Sequence, residues 1–503
     1  MGRAILSRSY EDLEAQILRN PQAPMETFSA RGFTTLQLCA GWAQGLHKLL
    51  QTEAASLLDT QNIVPPDYWP REWSFTPIGL AIAANCAESV DLLMRAGCIM
   101  PFNLCKEGIF ELATIETITI VASRMADRRR SLLELAQREP EHLQHEDPSH
   151  VPDGEAAYLC QALEKSGISI PRYLEVEWDY TTIYHYRVIP ILHFRTYFDQ
   201  GFRDFKMHNK IGLTPVMVWR DTFDGPLESR HGQIAEALVW LHEQGFLDQK
   251  AEDPWKIGLN IHATGWHYIA AMLGSQHQDV DFSEAYFSPV VPSLCRLVRK
   301  VSQVIRDCCA CWCNPEGKGC SPLKLFLIAH DDREECWRGY QTDYLCHIFF
   351  HYNINITGKK GYEPADPTFE LIRLLTFEAL EMRHTCCALK HVNLEEKRLR
   401  MPSDVVSQWW GWPKVIANRD PEMVQKIKSD QREQENAQQL DTLMEEFTTH
   451  LKRLEPSPKA LESFVWGYWR RRISKLFTVD IELLDETERV VEDVRTCESH
   501  ADN

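Results

Sequence analysis

The feature that most constrains the fold of this chain is a segment at residues 76–98 with the pattern of two short helices joined by tight turns. Thr76 can cap a helix, and Pro77 suits its first turn because the amide that proline lacks is unused there. Gly97 fits the left-handed position that ends a helix. Since one such unit cannot bury its own apolar face, the pattern predicts an array of stacked helix pairs.

Weaker copies of this pattern occur elsewhere in the chain. They lie at residues 32–50, at residues 212–245, at residues 264–271 with His267 in a T-x-x-H arrangement, and at residues 319–323. Their separation departs from a regular repeat of about 33 residues. The sequence therefore predicts an all-α protein, a degenerate and interrupted solenoid with helical insertions.

This pattern is typical of ankyrin repeats, and the chain as a whole resembles fungal ankyrin-repeat domain-containing proteins with degenerate repeats and a Cys-rich insertion. The resemblance covers roughly residues 30–390. It is carried by the repeats, Ala126-Asp127-Arg128-Arg129-Arg130, Gly201-Phe202-Arg203-Asp204, a cysteine cluster, and His384-Thr385-Cys386-Cys387. It implies an ankyrin-repeat fold and a role in protein interaction.

Changes in composition suggest four parts. They are N-terminal ankyrin-like repeats at 1–140, a polar linker or surface loop at 141–156, a second ankyrin-like array with the Cys-rich insertion at 157–400, and a helical C-terminal extension at 401–503. In the last part, apolar residues spaced alternately four and three apart predict an amphipathic helix. They are Leu440, Met444, Phe447, Leu451 and Leu454. Two heptads are few for a coiled coil, so packing within the chain is favoured over self-association.

The charge balance limits the partners. The 54 Lys and Arg residues against 72 Asp and Glu residues give a net charge of −18, which disfavours direct binding to nucleic acid and to anionic membranes. No secretory signal is apparent, and no apolar run reaches the ~18 residues that would span a membrane. We expect an intracellular protein, cytoplasmic or nuclear, with reduced cysteines.

Ten of the 16 cysteines lie between Cys295 and Cys387. The candidates for a metal site, of which one ion would use four, are Cys309, Cys311, Cys313, Cys320, His384, Cys386 and Cys387. Mixed sulfur and imidazole ligands favour structural zinc, although the single-residue gaps differ from those of common zinc knuckles. The alternatives are buried reduced cysteines acting as small apolar residues, and a redox or disulfide role.

Common enzyme motifs are absent from the sequence, so no catalytic residue is predicted. We expect a non-enzymatic scaffold or adaptor that binds proteins. Candidate partner-binding residues near the turns are Arg71, Trp73, Phe75, Arg220 and Trp266. The alternatives are a nuclear transcriptional coregulator, assisted by a basic patch at residues 470–475, and, more remotely, a zinc- or thiol-dependent enzyme.

Overall fold

The computed structural model divides into two compact units. Unit 1 comprises Met1–Val290 and Ala388–Asn418, and unit 2 comprises Val291–Cys387 and Arg419–Asn503. The residues that the structure describes are 1–28, 32–64, 73–100, 110, 113–137, 147, 149–176, 182–186, 191–218, 231–254, 256, 258–276, 305–314, 319–329, 367–391, 414–454 and 457–477. The linker predicted at 141–156 lies within unit 1.

Unit 1 is mainly helical, as predicted. Its described helices, α1–α12, are Gly2–Leu6, Tyr10–Arg19, Thr35–Leu38, Ala43–Leu50, Pro77–Ala83, Ala87–Arg95, Ile115–Ala136, Ala156–Lys165, Phe194–Asp199, Pro215–Val218, His231–Glu243 and Gly265–Gln276. Among the described residues there are also three antiparallel pairs of short strands, which the sequence pattern did not indicate. They join β1 (Thr27–Phe28) to β2 (Phe33–Thr34), β3 (Asn62–Val64) to β4 (Trp73–Phe75), and β5 (Ala388–His391) to β6 (Lys414–Ala417). The ankyrin solenoid stays a prediction.

Threonine caps begin several short helices of unit 1. Thr76 Oγ1 accepts a hydrogen bond from the Gly79 amide at 3.2 Å, and Pro77 occupies the first position of α5. Helix α6 follows, and Gly97 after it has a φ of 90°. These local predictions for residues 76–98 are confirmed, because α5 and α6 pack as a pair whose inward side chains are buried.

Two other caps use a histidine three residues after the threonine. The Thr264 amide donates to His267 Nδ1 at 3.0 Å, and the Thr182 amide donates to His185 Nδ1 at 3.1 Å. Burial lowers the pKa of His185 to about 4, so its ring is neutral at physiological pH and can accept this bond. His267 has the structural role expected from its position, whereas the cap at Thr182 was not anticipated.

Aromatic rings form much of the core of unit 1. Tyr184 stacks on Phe205 with ring centroids 3.7 Å apart, and Phe205 stacks on Phe246 at 4.3 Å. Trp266 is also fully buried, with its ring 5.1 Å from that of His242. The prediction that Trp266 belongs to an exposed partner-binding surface is therefore wrong, because the first turn of α12 faces the core.

The side chains of the other four candidate partner-binding residues lie outside the described part of the structure. Arg71 and Arg220 lie outside the described residues. Only the backbone of Trp73 and Phe75 is described, in β4, where they pair with Val64 and Asn62 of β3. Their role in partner binding stays a prediction.

The arginine run in α7 binds neighbouring parts of unit 1. Arg128 Nη2 donates to the Met94 carbonyl at 2.8 Å. Arg129 Nε lies 3.2 Å from Asp153 Oδ1 in a buried ion pair, and Asp153 also accepts a hydrogen bond from the Ile183 amide. This part of the sequence therefore organises the fold.

Asp153 should make the stability of unit 1 depend on pH. Burial raises the pKa of Asp153 to about 6, despite the opposing charge of Arg129. Because the unfolded carboxyl titrates near pH ~4, the folded state binds the proton more tightly, and this stabilisation is lost as the pH rises from about 4 to 6. We expect Asp153→Asn to remove up to about 3 kcal/mol of this pH dependence of the free energy of unfolding, measured by urea unfolding. If the free energies of unfolding of variant and wild type differ by a constant amount across that pH range, the prediction is wrong.

Unit 2 is built on six described helices. Helices α13–α18 are Pro322–Ala329, Pro367–Ala379, Pro421–Ser429, Gln431–Leu451, Pro458–Ser463 and Arg470–Phe477, and a π-helical turn, Phe464–Trp469, joins the last two. The predicted amphipathic helix is confirmed as α16, which buries Leu440, Met444, Phe447 and Leu451 and packs against α14, whereas Leu454 follows its end.

The basic C-terminal patch makes contacts within unit 2. Arg472 Nε lies 3.0 Å from the Glu446 carboxylate, and the Arg470 guanidinium lies 5.4 Å from the Trp466 ring centre. Two of the patch's charges are thus engaged locally. Over the described ranges, no helix combines the length and the apolar character needed to cross a membrane.

Candidate metal centre

Two segments of unit 2, residues 307–320 and 384–387, bring together eight side chains that can bind a metal ion. They form two groups, in each of which the four ligand atoms lie within 4.8 Å of one another. The histidine group comprises Cys311, Cys313, His384 and Cys386, and the aspartate group comprises Asp307, Cys309, Cys320 and Cys387. All seven predicted candidates are included, although a single set of four was expected.

The division follows pairs of residues two positions apart. The chain around Cys309 and Cys311 is not helical, and in an extended segment residues two positions apart face the same side. Asp307 and Cys309 belong to one group, and Cys311 and Cys313, at a turn over residues 312–314, belong to the other. Adjacent residues face opposite sides, so Cys386 and Cys387 join different groups.

The histidine group has the spacing of a tetrahedral site. The Sγ atoms of Cys313 and Cys386 are 3.9 Å apart, and His384 Nδ1 lies 3.4 Å from Cys386 Sγ and 4.0 Å from Cys311 Sγ. Tetrahedral zinc would separate two sulfurs by about 3.8 Å, and a sulfur and a nitrogen by about 3.6 Å. A disulfide would require about 2.05 Å. The spacing therefore suits a shared ion.

His384 is oriented through its other nitrogen. It lies after α14, which ends at Ala379, and Glu381 between them has a φ of 54°. Its Nε2 lies 2.5 Å from Glu378 Oε1, and its ring centre is 4.5 Å from that of Phe377. A carboxylate at this position fixes the ring, which then presents Nδ1 to the three sulfurs.

Asp307, which was not among the predicted ligands, completes the aspartate group. Its Oδ1 accepts hydrogen bonds from the amides of Cys309 at 2.9 Å and Cys320 at 2.6 Å, whereas Oδ2 lies 3.1 Å from Cys387 Sγ. One oxygen therefore holds the carboxylate in place while the other faces the sulfurs. A signal was present in the sequence, since Asp307 continues the alternation of the cysteines by one step.

Hydrogen-bond donors surround the sulfurs. The Thr385 amide donates to Cys311 Sγ at 3.3 Å, and the Cys387 amide donates to Cys309 Sγ at 3.2 Å. Such donors favour the thiolate, which is the form that binds metal. Burial opposes ionisation of Cys311, but the neighbouring thiols and His384 outweigh it and place the pKa of Cys311 well below its usual value. The site is thus electrostatically suited to a cation.

Lys324, at the start of α13, is another charged group that was not anticipated. Its side chain is fully buried, and Nζ donates to Cys313 Sγ at 2.5 Å and to Asn314 Oδ1. Burial alone would lower the pKa of Lys324, but the sulfurs around it, Cys313 foremost, raise it well above its usual value. Because a buried ammonium requires an anionic neighbour, this residue indicates that thiolate is present among the sulfurs around it.

Gly319 allows the two parts of the aspartate group to approach. An added Cβ would lie 1.8 Å from the Asp307 carbonyl oxygen and 2.4 Å from Oδ1. We expect Gly319→Ala to displace Asp307 and weaken metal binding about 10-fold or more, measured by competition with a chromophoric chelator. Gly467→Ala is the control, because its Cβ would meet only the Arg471 side chain at 3.7 Å. Equal affinities in the two variants would refute this role for Gly319.

Comparison with known proteins assigns no family to this chain. No family model matches it, and no similar curated protein is found. The resemblance to ankyrin-repeat proteins therefore stays a prediction, and function has to be inferred from the residues of the site and the fold.

Proposed function

We propose that this protein is a non-enzymatic interaction scaffold whose unit 2 is held together by structural zinc. The observation that carries the proposal is that each ligand group offers four protein side chains. Seven of the eight residues are buried, and His384 is nearly buried. Structural zinc sites are closed in this way, whereas catalytic zinc keeps a position for water or substrate. Cysteine-rich sets with one histidine favour zinc over magnesium or calcium.

The scaffold role rests on unit 1. Its pairs of short helices, such as α5, which Thr76 caps, and α6, are of the kind that ankyrin arrays stack into a rigid binding surface. On this proposal unit 1 is a degenerate ankyrin array, and its partners are proteins. The net charge of −18 supports protein over nucleic-acid partners.

Cobalt substitution tests the closed character of the sites. The full chain, purified under reducing conditions, would be reconstituted with Co²⁺, whose visible spectrum reports coordination. We expect tetrahedral thiolate bands that do not change when azide is added, because no coordination position is open. Bands that shift with azide in the wild-type protein would instead favour a zinc enzyme.

Cys311→Ser serves as the matched comparison for this experiment. The variant removes one strong ligand from the histidine group, so water can occupy the position and azide should displace it. Cys308→Ser, at an exposed cysteine that belongs to neither group, should behave like wild type. If the wild-type protein binds no cobalt and holds no zinc when isolated, the structural zinc proposal is wrong.

A further inference from the structure

The two ligand groups meet at one short stretch of chain. Cys386 of the histidine group and Cys387 of the aspartate group are adjacent residues. Cys386 Sγ lies 3.9 Å from Cys313 Sγ, and the Cys387 amide donates to Cys309 Sγ at 3.2 Å. A movement of this stretch would therefore displace ligands of both groups.

A second connection runs through Lys324. Its ammonium donates to Cys313 of the histidine group and to the Asn314 carbonyl oxygen, and the Asn314 amide group lies 3.6 Å from Cys320 Sγ in the aspartate group. One buried cation is thus linked to a sulfur of each group. A change of charge in either group therefore changes the electrostatic energy of the Lys324 ammonium.

Both groups are also built from the same two chain segments. Cys311 and Cys313 share one segment with Asp307, Cys309 and Cys320, and the other segment supplies the rest. An ion in either group would fix both segments, so the second ion would meet ligands that are already ordered. The conformational entropy of the two segments is lost when the first ion binds and not again with the second. This favours positive coupling between the two binding events.

Electrostatics point the same way. A zinc ion held by three thiolates and a neutral imidazole carries a formal charge of about −1, and one held by three thiolates and a carboxylate carries about −2. The group that fills first therefore stays anionic and does not repel the second ion. Lys324 offsets part of the remaining buried charge.

On these grounds we infer that the eight residues bind two zinc ions as one binuclear centre, filled cooperatively, with Lys324 as its internal counter-ion. This inference rests on the proposed structural role of zinc and adds the number of ions and their coupling. It also assigns Asp307 as a metal ligand. The role of Lys324 is positioning and charge balance, because its ammonium cannot bind a cation.

Native mass spectrometry of the reduced full chain during titration with Zn²⁺ tests the inference. Two equal, independent sites at half-saturation would leave about half of the chains with one ion. We expect the one-ion form to stay well below that share, with the empty and two-ion forms dominant. A one-ion form at or above half overturns the coupling.

Variants separate this inference from the proposed function. Asp307→Asn keeps the acceptor for the Cys309 and Cys320 amides but weakens the ligand, so binding in the intact histidine group should become about 10- to 100-fold weaker. Cys308→Ser is the control. Unchanged affinity in Asp307→Asn, or a wild-type chain that holds one ion and is stabilised by it, refutes the binuclear centre while the structural role stands. Absence of any bound ion refutes both.

Discussion

Removing the metal from unit 2 is expected to unfold the part of the chain around the two ligand groups, with a loss on the order of 10 kcal/mol in the free energy of unfolding. The measurement is the thermal stability of the reduced full chain before and after treatment with a strong chelator, with metal content determined on the same samples. Zinc added back should restore the transition. Limited proteolysis should then show new cleavage within residues 305–314 and 319–329.

The size of this effect follows from what the metal would neutralise. Six cysteines, an aspartate and a histidine converge on one interior, beside the buried ammonium of Lys324. Without a metal ion, these groups must either keep protons or hold several negative charges close together in a region of low dielectric, and both are costly. The ion replaces this repulsion with coordinate bonds.

The control for chelation lies in the same chain. Unit 1 contains neither ligand group, so its unfolding transition should not change with metal content. If metal is removed and neither transition moves, the cysteines are small apolar core residues, which is the alternative that the sequence left open.

Replacing the buried ammonium is expected to have the next largest effect. Lys324→Met keeps the length of the side chain but leaves Cys313 Sγ and Asn314 Oδ1 without their shared donor. Breaking a buried charge pair by removing one partner typically costs about 3–5 kcal/mol. We expect a loss of this size in the free energy of unfolding of metal-loaded unit 2, measured by denaturant titration.

A matched substitution tests whether the loss in free energy of unfolding is caused by removing the charge at position 324. Lys426 is exposed on α15 of the same unit, and Lys426→Met should change stability by less than about 0.5 kcal/mol. Similar losses in the two variants would show that the loss of a lysine in unit 2, and not the contact with the thiolates, is responsible.

Local features of the fold could be predicted because they depend on neighbouring residues. The capped helix at Thr76 follows from a hydroxyl, a proline and a glycine at fixed distances along the chain. Helix α16 follows from the spacing of its apolar residues. The burial of Trp266 could not be predicted in this way, since the direction in which the first turn of a helix faces depends on what packs against it.

The metal centre shows the same limit. The density of cysteines and the nearby histidine by themselves determined that soft ligands would be concentrated in the chain, and their single-residue spacing indicated that not all of them would bind one ion. Only the tertiary structure decided how they divide. The partners are up to about 80 residues apart in sequence, as Asp307 and Cys387 are, so residue spacing along one segment cannot say which sulfur meets which.

Asp307, Lys324 and Glu378 illustrate the physical reason. Carboxylates and ammonium groups are common on protein surfaces, and apart from the alternation that Asp307 continues, the sequence gives no sign of the few that are buried. The close approach of two segments places Asp307 against Cys387 and Lys324 against Cys313, while Glu378 at the end of α14 orients His384. The sequence determined which types of ligand were available. The packing of unit 2 decided which charged groups lie in the metal centre, because burial and pairing are properties of the folded chain.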